Sequence, residues 1–299
     1  MKRLVLWAAS AVVSCSTLVA MASGPSSAAA GVSPVNGTLI RSSLPPHVRF
    51  RTNRGITLTS ADNWSGYAQV SSTEGTFTQM TDTFVVPTVE TDVHGTQYVA
   101  DWVGIGGYDD PTLVQTGIQA KVKTQGRHST VIYDAWTEHL PQAEKPLVLT
   151  ISAGNTVTAT VEETSPNEWS MEVIDDTTGK SAGVSVPYDS SGLSAEAISE
   201  RPCLWGPCAP SDLAHLAQTS NITFDPGFVS DTPAGQTPVE RPLLSPAIST
   251  NPMTTITVED IAMTNNSGSK VIAMPSPPDL TNEGFTVTDG ANAPPAPTV

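Results

Sequence analysis

From about Ala61 onward the chain is written in short runs in which apolar residues recur at every second position, and Gly, Pro, Asn or Asp ends each run. Examples are GTFTQMTDTFVVP, HSTVIYDAWTEH, NTVTATVEE, WSMEVIDDTTGK, SNITFDPG and TTITVEDIAM. A period of two with prominent Thr and Val is the pattern of a strand that buries one face. Helical spacing is confined to SAEAISE and DLAHLAQ, both too short to define a layer. Many short strands bury their apolar faces by stacking sheet on sheet or by closing into a barrel, so residues 61–290 are expected to form one all-β sandwich or barrel. Residues 225–252 hold six prolines without a strand pattern and are expected to be a surface loop; 291–299 are a proline-rich tail.

The start of the chain is different. Lys2-Arg3, an apolar run from Leu4 to about Met21 and the small-x-small triplet Ala20-Met21-Ala22 form the order of a secretory signal, so residues 1–22 are expected to direct export. Val12-Val13-Ser14-Cys15 permits a second reading, a lipoprotein anchored through Cys15; otherwise no membrane partner is expected. Residues 23–60 are rich in Ser, Ala, Gly and Pro, as in a pro-segment or flexible leader. In an exported chain, Cys203 and Cys208, five residues apart in a Pro/Gly-rich stretch, are expected to close one small disulfide loop. His215, the nearest imidazole, stands alone, so no zinc site is expected there.

Charge sharpens the division. Residues 1–54 have no Asp or Glu and hold six of the 14 Lys and Arg, so the remainder carries 29 acids against eight bases, a net −21. One reading is simple solubility. Another is a basic pro-segment lying on an acidic body and released when carboxylates protonate. With so few bases, few acids are paired, and acid should remove more repulsion than attraction. An acidic surface argues against nucleic acid as a partner.

Several standard sites are absent: no Gly-x-Ser-x-Gly elbow, no His-Glu-x-x-His, no phosphate loop and no dinucleotide fingerprint. The Asp-Thr/Ser-Gly turn of aspartic peptidases is missing too, yet Gln115-Thr116-Gly117 has its shape. An amide donates and accepts hydrogen bonds but is no proton base, so a catalytic turn here needs its acid and base from elsewhere. Around it stand aromatic and acidic clusters: NWSGY (63–67), WVGIGG (102–107), YDAWTEH (133–139) and SAEAISE (194–200).

Those five motifs, in this order, resemble the glutamic peptidases, the eqolisin or G1 family of secreted acid endopeptidases, over about residues 62–289. The resemblance implies an antiparallel two-sheet β-sandwich of the concanavalin A-like jelly-roll type, and a Gln/Glu dyad whose matching positions are Gln115 and Glu196. Glu200 is an alternative glutamate four residues on. Glu196 would serve as base and then acid, and Gln115 would stabilise the oxyanion. Trp64, Trp102, Asp134, Trp136 and Glu138 are expected cleft residues, although Trp on a sandwich strand also serves as plain core. Along the strand, Asp134, Trp136 and Glu138 share a face. The implied partners are protein or peptide substrates of a monomer, with no cofactor.

Three positions depart from the family pattern: Gly106 and Gln119 stand where the family has acids, and Ala197 where it has Trp. These departures keep open an inactive relative that binds carbohydrate or protein. A glycoside hydrolase of similar architecture would need two carboxylates at a set separation, and no Glu-x-Asp-x-Glu strand supplies them.

Overall fold

The computed structural model describes residues 51–53, 56–204, 208–245 and 254–298. The expected signal, Cys15 and most of the leader lie outside the described residues. Seventeen strands follow in order: β1 (Arg51–Asn53), β2 (Ile56–Ala61), β3 (Trp64–Ser71), β4 (Gln79–Val85), β5 (Gly95–Gly106), β6 (Leu113–Gln125), β7 (His128–His139), β8 (Lys145–Thr150) and β9 (Thr156–Ser165). After these come β10 (Glu168–Asp175), β11 (Lys180–Pro187), β12 (Ser194–Glu200), β13 (Ile222–Ser230), β14 (Arg241–Pro242), β15 (Ile256–Thr264), β16 (Val271–Pro275) and β17 (Phe285–Asp289). There is no α-helix among the described residues, only a 3-10 turn at Pro210–Asp212.

All strands belong to one hydrogen-bonded sheet that curls into a nearly closed, barrel-like form. One run of neighbours is β1-β2-β15-β3-β12-β5-β6-β7-β8. The other is β16-β17-β13-β4-β9-β10-β11, and the β15-β16 pairing joins them. Every pairing is antiparallel except β2 with β15. Alternation supplies the core: Val103, Ile105, Val114, Ile118 and Ala197 from the first run share one buried cluster with Phe84, Val161, Met171 and Phe224 from the second. Phe224 stacks on Phe285 with centroids 5.0 Å apart. Each fully buried Val, Ile, Met or Phe among them contributes about 1.5–3 kcal/mol.

The structure departs from the sequence reading at four places. SAEAISE is the central strand β12, paired on both sides, with all seven residues buried. Ala and Glu are good helix formers, but the two neighbouring strands override that preference. DLAHLAQ is extended beyond its opening turn, with Ala214 and Ala217 buried. Residues 225–230 complete β13, and Arg241–Pro242 form β14 with Leu243 and Leu244 buried behind it, so only part of the proline-rich 225–252 stretch is loop. Ile56–Ala61, inside the segment read as leader, is a strand held by parallel pairing to β15, a partner about 200 residues downstream that no local pattern reveals. The expected Cys203–Cys208 disulfide is present.

Candidate active site

Strand register decides which side chains meet. Glu196 pairs with Gly104, Gly104 with Gln115, and Gln115 with Glu138, so these four form one rung across β12, β5, β6 and β7. Directly paired residues share a face. Two residues along on that face lies the rung Ile198, Trp102, Gly117, Trp136; two further lies Glu200, Ala100, Gln119, Asp134, with Trp64 beside Glu200. All seven expected site residues therefore share one face, the polar rungs separated by a tryptophan rung. Trp64 and Trp102 meet edge to face at 4.9 Å.

Glycines make this arrangement possible. Gly104 stands between Glu196 and Gln115, whose backbones are two strand spacings, about 10 Å, apart. A Cβ on Gly104 would lie 2.9 Å from Trp102 Cζ3, 3.0 Å from Leu113 Cδ1 and 3.3 Å from Gln115 Cβ, so only glycine lets these side chains pack over β5 between the two polar residues. At Gly117, the glycine of Gln-Thr-Gly, a Cβ would lie 2.2 Å from the Asp101 carbonyl oxygen; only glycine lets β6 approach β5 so closely. Thr116 Oγ1 donates to the Trp136 carbonyl at 2.7 Å and ties the motif to β7.

Gln115 is fully buried, and its Nε2 donates to Glu138 Oε2 at 2.7 Å. A primary amide has two N–H donors, so one remains for another acceptor. Glu196 is also fully buried, and no hydrogen bond of normal geometry reaches either carboxyl oxygen. Burial raises its pKa well above the ordinary range; the Ser194 hydroxyl draws it down by less, and the Asp110 carboxylate raises it further. Glu200 is different, because Oε2 accepts from Trp102 Nε1 at 2.8 Å and Oε1 from Asn63 Nδ2 at 3.0 Å. Both its oxygens are thus engaged in holding the tryptophan rung and the Asn-Trp motif. One rung beyond Glu196, on the same face, Val70, Ser194 and Thr257 open into a cavity of about 260 Å³ that Asp109 and Asp110 also line.

The three departures find physical explanations. Gly106 has φ +83°, and a Cβ there would meet the Thr112 carbonyl oxygen at 2.4 Å, so this backbone excludes an acid. Asp110 supplies a carboxylate from the adjoining loop, which it closes by accepting from Thr112 N at 2.8 Å and Gly107 N at 3.2 Å. Gln119 Nε2 donates to Glu144 Oε1 at 2.6 Å, so here too an acid arrives from a loop. Burial, Asp134 and Glu200 push the Glu144 carboxyl up to about 8, against the pull of Gln119. Asp134 is half-buried with its pKa raised by burial. Ala197 is not a cleft position: it belongs to the interior cluster on the opposite face from Glu196. Asp110 and Glu144 escape sequence reasoning because they stand in motif-free loops. The only available signal was the loss of acids at 106 and 119.

An all-β protein with a buried glutamate and an anchored glutamine on either side of a glycine has the build of a glutamic peptidase. The profile of the Peptidase A4 family matches residues 62–268, and the chain belongs to this family, the eqolisins. Among solved structures, scytalido-glutamic peptidase with a transition state analog inhibitor is 21% identical, with a TM-score of 0.54 over 76% of this chain and 98% of that one. SCP-B, an eqolisin in complex with the tripeptide Ala-Ile-His, is 20% identical, with a TM-score of 0.50 and the same coverage. At such identities the likeness shows the shared fold. No curated protein sequence gives a significant match.

Proposed function

We propose that this protein is an acid endopeptidase that hydrolyses peptide bonds with Glu196 and Gln115, its two runs of strands forming the layers of a jelly-roll sandwich. The observation that carries the reading is the rung Glu196-Gly104-Gln115-Glu138. The scissile carbonyl and a water approach from the cavity that opens one rung beyond Glu196, at Ser194, Val70 and Thr257. Glu196, as carboxylate, takes a proton from the water as its oxygen bonds to the carbonyl carbon. The carbonyl oxygen becomes an oxyanion, which accepts the second Gln115 N–H while Glu138 holds the first and fixes the amide's orientation. As the C–N bond breaks, Glu196 returns its proton to the departing amine. The amide does not titrate, so acid leaves the oxyanion donor intact. Glu200, with both oxygens engaged, is the structural partner of Trp102 rather than the base.

The same proposal has residues 1–22 direct export and the basic segment before about 54–61 leave on acidification. Intact mass and cleavage of a denatured protein, followed over a pH series, test both parts. Acid-dependent cleavage that disappears in folded Glu196→Gln and Gln115→Ala is expected. Cleavage that persists in Glu196→Gln would move the base elsewhere.

A further inference from the structure

At the far end of β5, a second cavity of about 670 Å³ opens among His94, Gln97, Arg201, His215, Lys270 and Asp289. It is not an extension of the cleft. Gln97 lies seven residues from Gly104, about 23 Å along the strand, and its odd position puts it on the opposite face of β5. The lining inverts the charge of the molecule. Of the eight Lys and Arg that follow Arg54, two stand here with two imidazoles, against a single acid, in a body of net −21.

The chemistry of the lining is specific. Arg201 is 7% exposed, and its Nε and Nη2 donate to the carbonyls of Asp62 at 2.7 Å and Thr264 at 3.3 Å, which fixes the guanidinium. A guanidinium has five N–H donors, so this anchoring uses only part of its capacity. The one acid, Asp289, is turned to the backbone, accepting from Thr219 N at 2.8 Å. Gln97 is 6% exposed and its Oε1 has no hydrogen-bond partner. A buried carbonyl oxygen without a donor carries a desolvation cost of about 1–3 kcal/mol, which a ligand N–H or O–H would remove. Leu216 and Ile272 add apolar wall, and the volume is that of a small-molecule site rather than a single-ion niche.

We propose that this cavity binds an organic carboxylate that carries a hydroxyl or amide N–H donor close to its charge. The carboxylate meets Arg201 and Lys270, and the donor satisfies Gln97 Oε1. A sugar acid and the C-terminal end of a peptide both present this chemistry. The site is independent of the peptidase reading, since none of its residues belongs to the rungs of Gln115, Trp102 or Glu200.

Calorimetric titration of the full chain in mildly acidic buffer tests it, using glucuronate, N-acetyl-Ala-Ala with a free carboxylate, the amide of each, and inorganic phosphate. At least one carboxylate is expected to bind about tenfold or more tighter than its amide. Which one binds identifies the source of the ligand. Lys270→Glu, at an exposed position, and Gln97→Leu are each expected to weaken binding about fivefold or more, with the Tm and peptide cleavage of Lys270→Glu unchanged. The proposal is overturned if neither carboxylate binds at millimolar concentration, if the amides or phosphate bind as tightly, or if Lys270→Glu leaves affinity unaltered.

Discussion

At the scale of single residues, the proposed mechanism makes Glu196 set the pH dependence. Burial raises its pKa, so the carboxylate required as base appears only above the range of an ordinary glutamate, about 4.3. The acid limb of kcat/KM should therefore lie above that value. Asp110→Asn removes a charge that raises Glu196 and should move the limb to lower pH; a limb that stays put would show that Asp110 does not act on the base. Gln115→Ala should lower kcat by about 10²–10³, the usual cost of one oxyanion donor. Glu138→Gln keeps the size of the anchor but loses its charge, and should lower kcat more than it changes KM. The candidate dyad and the tryptophans were legible because their motifs are local. The roles of Asp110 and Glu144 were not, because each reaches the site from a loop and acts through space. Ala197 shows the opposite limit: it departs from the family pattern beside Glu196, but alternation along β12 turns it into the core.

At the scale of elements, the site depends on how closely β5 and β6 pack. In Gly104→Ala the new methyl overpacks against the fully buried side chains of Trp102 and Leu113, so the expected destabilisation is about 1–3 kcal/mol. Activity should fall further, by about 10², because the methyl pushes on Gln115 and Trp102 and displaces the amide. Gly117→Ala meets the immobile Asp101 carbonyl and should cost about 3 kcal/mol or more, read as a large drop in Tm. Period-two runs made β4, β7, β9, β10, β13 and β15 readable. Strand β12 was not, because a strand buried on both faces loses its alternation and its two glutamates mimic a helix surface. Strand β2 escaped because its support is a distant parallel neighbour.

At the scale of the whole molecule, buried acids couple the fold to pH. Burial pushes Asp101 and Asp260 up to about 7 and Glu144 to about 8, and raises the fully buried Asp82 as well. In the unfolded chain these groups titrate near 4. Between the two values the folded protein holds protons that the unfolded chain has lost, so stability is full below about pH 4 and declines as pH rises towards 7–8. Every tenfold gain in proton affinity on folding is worth about 1.4 kcal/mol, so each of these groups steepens the dependence of stability on pH. Tm should therefore be higher in acid than at neutrality. A Tm that rises from pH 4 to 7 would contradict this account. The sequence predicts acid tolerance from the shortage of basic partners; the second contribution, carboxyls buried in a neutral form, depends on the strand register. Combined with the acid limb of Glu196, the loss of stability on the alkaline side predicts a bell-shaped activity profile.

The most direct test of the central claim is kcat/KM against pH for a fluorogenic peptide, measured for the mature protein and for Glu196→Gln and Glu200→Gln whose folding is verified by Tm. Activity abolished in Glu196→Gln and retained, with a lower Tm, in Glu200→Gln is the predicted result. Activity that survives in Glu196→Gln and vanishes in a folded Glu200→Gln would place the base on the other rung and contradict the account.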